Sequence, residues 1–368
     1  MVTGQMRIAV LGAGAAGCTI AGYLKSKGHE ILLSDLPQFS ENIDSIRKKG
    51  GITLTGQLSG TYMPDFLTTN AREAVDHADM IMLTVPAFAH ESFMDACLPH
   101  FSNNQVVLNW TSYWSSMRFY PREKKIGRPG LILAEASIYP YMTEKTPEGN
   151  IFVRAAKQQL WIAAMPATRT EQVLKTVKEI YPEAVSLENV LYTSLYNLNV
   201  PFHAATALMN AGHWEQTTGD FDFFGYGITP AVGRVAEAID QERIAVAKAF
   251  GIDSPSLAKL MSMVYRRYGV SGDTAYDALH TLKSHATWRP KVSLMDYGDV
   301  REDVPFGLVP LSSFGHKFGV PTPTTDTIIH VASVATGRDF RAIGIDVEKL
   351  GVANMTQSDI LRYVATGA

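Results

Sequence analysis

The chain is poor in cysteine and in charge, and it has no long apolar run. Two cysteines, Cys18 and Cys97, occur among its 368 residues. That is too few for a disulfide framework, so we expect a reducing compartment, the cytoplasm. No segment approaches the roughly 18 continuous apolar residues of a membrane span, and the first residues lack the pattern of a secretory signal. The sequence therefore predicts a soluble, unprocessed cytoplasmic protein without a membrane partner.

Charged residues make up only 19% of the chain and leave a net charge of −3. A protein without a basic surface field does not attract nucleic acid or anionic membranes, so we expect neither as a partner. Hydrophobic residues reach 46%, which is ample for a packed core. Because 368 residues exceed what one core normally holds, we expect an ordered protein of two domains.

Residues 7–17 read as a short apolar strand that runs into a G-x-G-x-x-G motif. Gly12 permits the tight turn, Gly14 leaves room for a pyrophosphate to approach the backbone, and Gly17 lets the following helix pack closely on its strand. The free N–H groups at the start of that helix are suited to bind phosphate. The predicted dinucleotide-binding loop consists of Gly12, Ala13, Gly14, Ala15, Ala16 and Gly17.

A second predicted strand, residues 30–34, leads to Asp35, about 20 residues beyond the glycines. At this position the dinucleotide-binding fold has a carboxylate that accepts hydrogen bonds from the adenosine ribose. The same carboxylate repels a 2′-phosphate, and residues 36–39 contain no arginine or lysine that would pair with one. We therefore predict NAD(H) in preference to NADP(H). The alternative role of Asp35 is to cap the turn after the strand.

The loop after the predicted strand at residues 80–85 is a second candidate for cofactor contact, because ligands collect at the carboxyl ends of the strands in such a sheet. We predict that Val85, Pro86 and Ala87 line the nicotinamide ribose. His90 follows at the first turn of a helix, where we expect a surface or capping residue.

Strand and helix signals alternate through the first half of the chain, which is the βαβ rhythm of a parallel sheet covered on both faces. The predicted strands are residues 7–11, 30–34, 52–54, 80–85, 105–108 and 131–135, with 160–165 and 184–185 as an extension at the edge. From residue 188 onward the pattern is helical. The prediction is an α/β protein with an N-terminal Rossmann-type doubly wound parallel sheet, residues 1–186, and a C-terminal all-helical domain, residues 187–368.

In the helical half, residues 197–212 form an apolar stretch interrupted by polar side chains. Asn199 and His203 are four residues apart and would share one helical face, unless Pro201 restarts the helix between them. An imidazole among apolar neighbours is either a hydrogen-bonded core histidine or a general acid/base that works near neutral pH. A carboxylate from the cluster at residues 299–303 would hold the ring in one tautomer. The alternative for that cluster is a charged helix N-terminus.

Taken together, these segments resemble the opine dehydrogenases, the octopine/nopaline dehydrogenase family, over nearly the whole chain. The matching segments are the glycine loop, residues 78–87, Ala134-Glu135, Asn197-x-Asn199-x-x-x-His203, Asn210-Ala211-Gly212, residues 226–230, Asp240-Gln241-Glu242-Arg243, Glu302-Asp303-Val304-Pro305, residues 307–310 and residues 319–323. The resemblance implies reductive condensation of an α-keto acid, commonly pyruvate, with the amino group of an amino acid or amine. It assigns the acid/base role to His203 and the orienting carboxylate to Asp303. Asn199 would steady the ring or the nicotinamide amide.

The chain departs from the family at one point. Members often carry an arginine-tyrosine pair shortly before the Glu-Asp, and the arginine binds a substrate carboxylate. Here Tyr297 is present but Asp296 precedes it. Either Arg301 takes over from a shifted position, with Tyr297 beside the substrate, or the amine lacks that carboxylate, or it is cationic and meets Asp296 or Asp299.

Two other functions remain open at this stage. One is reduction of a 2-keto acid by an enzyme of the ketopantoate reductase kind, which characteristically uses a lysine on the first helix of its second domain. No lysine lies between residues 188 and 212, which favours histidine chemistry. The other is a non-catalytic NAD-binding sensor. No metal site is predicted, and the apolar stretch at residues 328–332 is a candidate for closing over the site or for a homodimer face.

Overall fold

The computed structural model describes residues 4–76, 78–128, 130–294 and 296–368. The chain divides into two compact units, one formed by Met1–Thr193 with Val364–Gly367 and the other by Ser194–Tyr363 with Ala368. The first is an α/β unit and the second is helical, so the predicted fold class is confirmed. The predicted division after residue 186 stays a prediction of domain organisation.

The first unit is built on two sheets. Its strands are β1 (Arg7–Leu11), β2 (Glu30–Ser34), β3 (Ile52–Gly56), β4 (Gly60–Tyr62), β5 (Phe66–Thr68), β6 (Met80–Leu83), β7 (Val106–Asn109), β8 (Ile132–Ala136), β9 (Tyr141–Lys145), β10 (Ile151–Ala156), β11 (Leu160–Met165) and β12 (Ala184–Ser186). Its helices are α1 (Ala15–Ser26), α2 (Ser40–Lys49), α3 (Ala71–Val75), α4 (His90–Cys97), α5 (Ser115–Ile126) and α6 (Thr170–Ile180).

The larger sheet has eight strands in the order β12-β11-β8-β7-β6-β1-β2-β5. It is parallel from β8 to β5, whereas β11 runs antiparallel to β8. Every residue of β6 and of β11 is buried, as expected for strands that are covered on both faces. The order β6-β1-β2 places the carboxyl end of β1, where the glycine loop begins, between the ends of two neighbouring strands.

The prediction for β3 was wrong in one respect. We expected it in the parallel sheet, but it belongs to a second sheet of order β4-β3-β10-β9. Only three residues separate β3 from β4, and a connection that short permits antiparallel pairing alone. The place beside β2 is taken by β5, whose three residues are too few to show a period and which the sequence analysis missed.

The second unit consists of helices in the part of the chain that the structure describes. They are α7 (Val190–Leu195, which begins in the first unit), α8 (His203–Met209), α9 (Ala211–Thr217), α10 (Pro230–Ala249), α11 (Leu257–Tyr265), α12 (Ala275–His280), α13 (Gly298–Asp303), α14 (Val309–Phe318), α15 (Pro323–Thr336), α16 (Phe340–Ile343) and α17 (Gln357–Thr366, which ends in the first unit). In the longest, α10, the Thr229 hydroxyl accepts from the Val232 N–H and Pro230 lies in the first turn. None of the helices described here has the length and apolar character needed to cross a bilayer.

The apolar stretch at residues 328–332 lies in α15. Ile328, Ile329 and Ala332 are buried, whereas Val331 is exposed. Most of the stretch therefore fills the core of its own unit. Its predicted roles in closure or dimerisation stay predictions.

The Asp240-Gln241-Glu242-Arg243 motif of α10 holds the helical unit together. Arg243 and Asp240 form an ion pair whose side chains are each 2% exposed. The Arg243 guanidinium also donates to the carbonyls of Leu195 and Pro255, and Asp240 accepts from the Leu257 N–H. Glu242 accepts from the N–H groups of Thr324 and Thr325 at the start of α15. The motif thus joins α7, α11 and α15 to α10.

We predict that Arg243→Ala destabilises the helical unit strongly, by about 3–5 kcal/mol, because it leaves the Asp240 carboxylate buried without its partner. Arg289→Ala is the matched control, since the Arg289–Asp220 pair is exposed and such pairs contribute about 0–1 kcal/mol. Urea unfolding followed by circular dichroism measures both. Equal effects of the two substitutions would contradict this assignment.

Candidate active site

The glycine loop joins β1 to α1 and has the geometry of a phosphate cradle. Gly12 adopts a φ of +107°, a conformation that favours glycine. A Cβ on Gly17 would lie 1.8 Å from the carbonyl oxygen of Gly12, so only glycine allows the helix to pack this closely on the turn. Gly14 caps α1 without a side-chain hydrogen bond, and a Cβ there would meet nothing within 4 Å. The open space and the N–H groups of the first turn fit the pyrophosphate of a dinucleotide.

Asp35 is tied to this loop. Its Oδ2 accepts from the Ala13 N–H at 3.1 Å and from Asn42 Nδ2 at 3.0 Å, and its Oδ1 accepts from the Leu36 N–H at 2.9 Å. Burial raises the pKa of the Asp35 carboxyl group, while these three hydrogen bonds oppose the rise. The residue thus fixes the end of β2 to the glycine loop, a contact that the sequence analysis did not foresee. Its predicted bond to a ribose stays a prediction.

Thr84, at the end of β6, is a positioning residue that sequence reasoning missed. Its hydroxyl lies 2.9 Å from the Leu11 carbonyl oxygen and 3.1 Å from that of Gly12, so it can donate to either. It thereby connects the second candidate cofactor loop to the first. Within that second loop Pro86 is exposed, whereas Val85 and Ala87 are buried.

The expectation for His90 was wrong, because the residue is fully buried rather than on the surface. Its Nε2 lies 3.2 Å from the Val85 carbonyl oxygen, and Arg118 approaches Nδ1 at 3.4 Å. Burial, with the nearby Arg118 charge, lowers the pKa of His90 well below its usual value. The ring is therefore neutral, and it can donate from Nε2 to the carbonyl of Val85. The amphipathic pattern of α4, which buries Phe93 and Met94 on the same face, was the signal for this.

Glu135, quoted above only as part of a family motif, is a buried structural carboxylate in the first unit. Its Oε2 accepts from the Ser115 hydroxyl at 2.9 Å and from the Ser116 N–H at 2.8 Å, and its Oε1 accepts from Thr193. Burial raises the pKa of Glu135, and these donors oppose the rise. Glu135 thus satisfies the first turn of α5, whose preceding residues Tyr113 and Trp114 adopt positive φ.

In the helical unit, Pro201 does restart the chain, since α8 begins only at His203. Asn199 therefore lies in the turn before the helix and not on a shared helical face. Its carbonyl oxygen accepts from the N–H groups of Phe202 and His203, at 3.2 and 3.1 Å. Asn199 thus holds the first residue of α8 through its main chain.

The structure brings His203 and Asp303 together. His203 Nδ1 lies 2.9 Å from Asp303 Oδ2, and the Asp303 side chain is 1% exposed. A second carboxylate is present on the same side: Asp299 Oδ2 lies 3.1 Å from the same Nδ1 and accepts from the Tyr297 hydroxyl at 2.6 Å. Residues 299 and 303 are one turn apart on α13, so one helix face presents both carboxylates to one imidazole.

A wide helical turn follows Asp303 and explains the Glu-Asp-Val-Pro motif. Residues Val304–Leu308 form a π-helical turn between α13 and α14. Pro305 and Pro310 cannot donate backbone hydrogen bonds, which favours such an irregular turn. A Cβ on Gly307 would lie 2.6 Å from the Val200 side chain. The motif therefore brings α13 against the segment that leads into α8.

Two other predicted site residues have a different environment. Tyr297 is buried, its hydroxyl donates to Asp299, and burial with that carboxylate raises its pKa well above the usual value. Arg301 is two residues from both Asp299 and Asp303, so its Cα–Cβ bond lies on the other side of α13. Asp296 is exposed and accepts from Ser293. Residue 295, which precedes Asp296, lies outside the described residues.

The same three groups are a possible metal site in the described part of the chain. His203 Nδ1 and one oxygen from each of Asp299 and Asp303 lie within 4.8 Å of one another. However, an Nδ1 that donates a proton to Asp303 cannot coordinate a metal at the same time. We interpret the contacts as hydrogen bonds, and the absence of a metal stays a prediction.

Comparison with known proteins identifies the chain's relatives. Over 354 residues it is 34% identical to the opine dehydrogenase of Arthrobacter sp. (strain 1C), with 96% of this chain and 97% of the relative covered. The chain belongs to the opine dehydrogenase family. Residues 186–336 match the family model described as NAD/NADP octopine/nopaline dehydrogenase, alpha-helical domain, and residues 8–110 match that of ketopantoate reductase PanE/ApbA. Family membership makes the protein an NAD(P)-dependent oxidoreductase that acts on CH–NH bonds.

Solved structures agree with this at the level of the fold. Octopine dehydrogenase with NADH and L-arginine superposes with a TM-score of 0.76 at 19% identity, covering 99% of this chain and 98% of the other. Yersinopine dehydrogenase with NADP+ gives a TM-score of 0.69 at 14% identity, covering 100% of both chains. The octopine dehydrogenase of Pecten maximus is 21% identical in sequence over 371 residues, and 92% of each chain is covered. The two-unit architecture is that of opine dehydrogenases.

If the contacts of His203 are hydrogen bonds, the opine dehydrogenase activity needs no metal. We predict that dialysis against EDTA leaves the turnover rate within about twofold of the untreated enzyme, because the site then holds no catalytic metal ion that EDTA could remove. Loss of activity that Zn²⁺ or Mn²⁺ restores would show instead that the three groups coordinate a metal. Metal analysis of the purified protein is the accompanying measurement.

Proposed function

We propose that this opine dehydrogenase uses NADH to condense an α-keto acid such as pyruvate with the amino group of an amino acid or amine, with His203 as the acid/base residue. The observation that carries the proposal is the 2.9 Å contact between His203 Nδ1 and the buried Asp303 carboxylate. A carboxylate at Nδ1 selects the tautomer that carries its proton there and stabilises the ring when it is protonated. Proton exchange with the substrate then takes place at Nε2.

One histidine can carry both proton transfers of the condensation. The neutral ring accepts the proton that the nitrogen loses when it adds to the keto carbon. The protonated ring returns that proton to the keto oxygen, which becomes a hydroxyl group. The ring then relays the second nitrogen proton to this hydroxyl group, which leaves as water as the C=N bond forms. Each cycle of imine formation returns the ring to its starting state. The apolar rings of Phe202 and Phe223 beside His203 limit the access of bulk water to these steps.

The cofactor residues form the second part of the proposal. The dinucleotide, when bound, supplies the hydride that reduces the C=N bond. The N–H groups of residues 14–17 would bind its pyrophosphate, while the Ala13 N–H donates to Asp35. Asp35 would meet the ribose, and Val85, Pro86 and Ala87 would line the nicotinamide ribose. Residues 1–186 thus carry the cofactor site and residues 187–368 the acid/base pair. The octopine dehydrogenase structures with NADH, L-arginine and pyruvate support this choice of cofactor and substrate class.

The proposal predicts that NADH oxidation with pyruvate requires an amine. Absorbance at the nicotinamide wavelength is followed with pyruvate alone and with pyruvate plus a panel of amino acids and amines. Consumption of NADH without any amine would favour simple keto acid reduction, the activity of the ketopantoate reductases. In the same assay His203→Ala lowers turnover by about 10²-fold or more while NADH binding persists. His330→Ala is the matched control, because this histidine is exposed on α15.

The cofactor preference has its own test. Asp35→Asn keeps the shape of the side chain but removes the charge that repels a 2′-phosphate. We predict that the ratio of kcat/KM for NADH over NADPH falls about tenfold, the equivalent of one charge-assisted hydrogen bond. A wild-type enzyme that already prefers NADPH would refute the assignment of NAD(H).

A further inference from the structure

The carboxylate of Asp299 lies beside His203 but is not part of the proposed acid/base pair. Its Oδ2 faces His203 Nδ1 and accepts from Tyr297, while its Oδ1 makes no hydrogen bond among the described residues. The side chain is 28% exposed, against 1% for Asp303. Asp303 is thus enclosed by protein, whereas Asp299 keeps one carboxylate oxygen available next to the imidazole.

Two carboxylates face the imidazole of His203, so the formal charges of these three side chains sum to −1 when the ring is protonated and to −2 when it is neutral. A group of this charge favours a cation beside it and disfavours an anion.

Aromatic rings surround these charges. Phe202 and Phe223 contact His203, and Trp214 packs on both Phe223 and Tyr297. Phe223 and Trp214 are both fully buried. An apolar surrounding strengthens the attraction between Asp299 and a cation, since less water screens it.

We infer that Asp299 is a specificity residue that receives the ammonium group of the amine substrate, and that the substrate is an amine without a carboxylate on its amino-bearing carbon. This rests on the proposed function above. The ammonium is held by Oδ1 and transfers one proton to His203, which leaves the neutral nitrogen free to add to the keto carbon. The protonated ring gives this proton to the keto oxygen as the nitrogen adds. The ring is then neutral again and relays a nitrogen proton to the hydroxyl group, which leaves as water. The α-carboxylate of an amino acid would be bonded to the adjacent carbon, close to two carboxylates of like charge.

The test compares substrates that differ only in the carboxylate. Phenylalanine is paired with 2-phenylethylamine and leucine with 3-methylbutylamine, each with pyruvate and NADH. We expect kcat/KM of the wild type to be at least about tenfold higher for the amine of each pair. Asp299→Asn should raise KM for the amine about tenfold with kcat changed only a few-fold, and should remove the preference. Asp273→Asn, an exposed carboxylate of the same unit, is the matched control.

A binding measurement separates the two proposals. Calorimetry of the enzyme–NADH complex with 2-phenylethylamine and with phenylalanine needs no turnover. Tighter binding of the amine by the wild type, lost in Asp299→Asn, supports the inference even if no product forms. Amine-dependent turnover that prefers amino acids overturns the inference but leaves the opine dehydrogenase function standing. Turnover independent of any amine overturns the proposed function, and equal binding of both ligands overturns the role of Asp299.

Discussion

The hydrogen bond between His203 Nδ1 and Asp303 Oδ2 is the interaction on which the helical unit's site depends. It joins residues that are 100 positions apart in the sequence, and it gives the buried Asp303 carboxylate the partner without which its burial would be costly. The wide turn after Asp303 and the restart of the chain at Pro201 both serve this contact, because they bring the end of α13 to the first residue of α8. The π-helical turn after Asp303 and the break in the helix before His203 therefore accompany the 2.9 Å contact between these two residues.

In the candidate cofactor loops of the first unit, buried side chains likewise hold segments that are distant in the sequence. The buried side chains that follow β2 and β6 form hydrogen bonds with backbone groups of the loops. Asp35 holds Ala13, Thr84 holds the turn at Gly12, and His90 holds Val85. A neutral buried imidazole and a threonine hydroxyl are well suited to this, since neither introduces an uncompensated charge. The loops are thereby set by protein contacts before any ligand arrives.

Sequence patterns predicted those parts of the structure whose cause is local. The glycine loop, the strand that leads to Asp35 and β11 all follow from neighbouring residues, namely glycines and runs of apolar residues. The second sheet was not predictable in this way, because whether β3 pairs with β2 or with β10 depends on segments up to about a hundred residues away. The contact between Asp299 and His203 was missed for the same reason, whereas the burial of His90 could have been inferred from the amphipathic pattern of α4. Asp303 was assigned through the family resemblance, and only the folded chain relates its position to that of His203.

The two buried ion contacts of the helical unit differ when their charges are counted. In the Asp240–Arg243 pair one carboxylate meets one guanidinium, both are sealed from water, and other guanidinium N–H groups donate to carbonyls. Such a closed set has no capacity left for a ligand, so its role is to join helices. At His203 two carboxylates meet one imidazole, and part of the set is open to solvent. Excess charge beside a titratable ring is a cost that a purely structural contact does not need. The imbalance supports the proposal that the contacts at His203, and not the Asp240–Arg243 pair, meet a substrate, and its sign agrees with the inference that the incoming group is a cation.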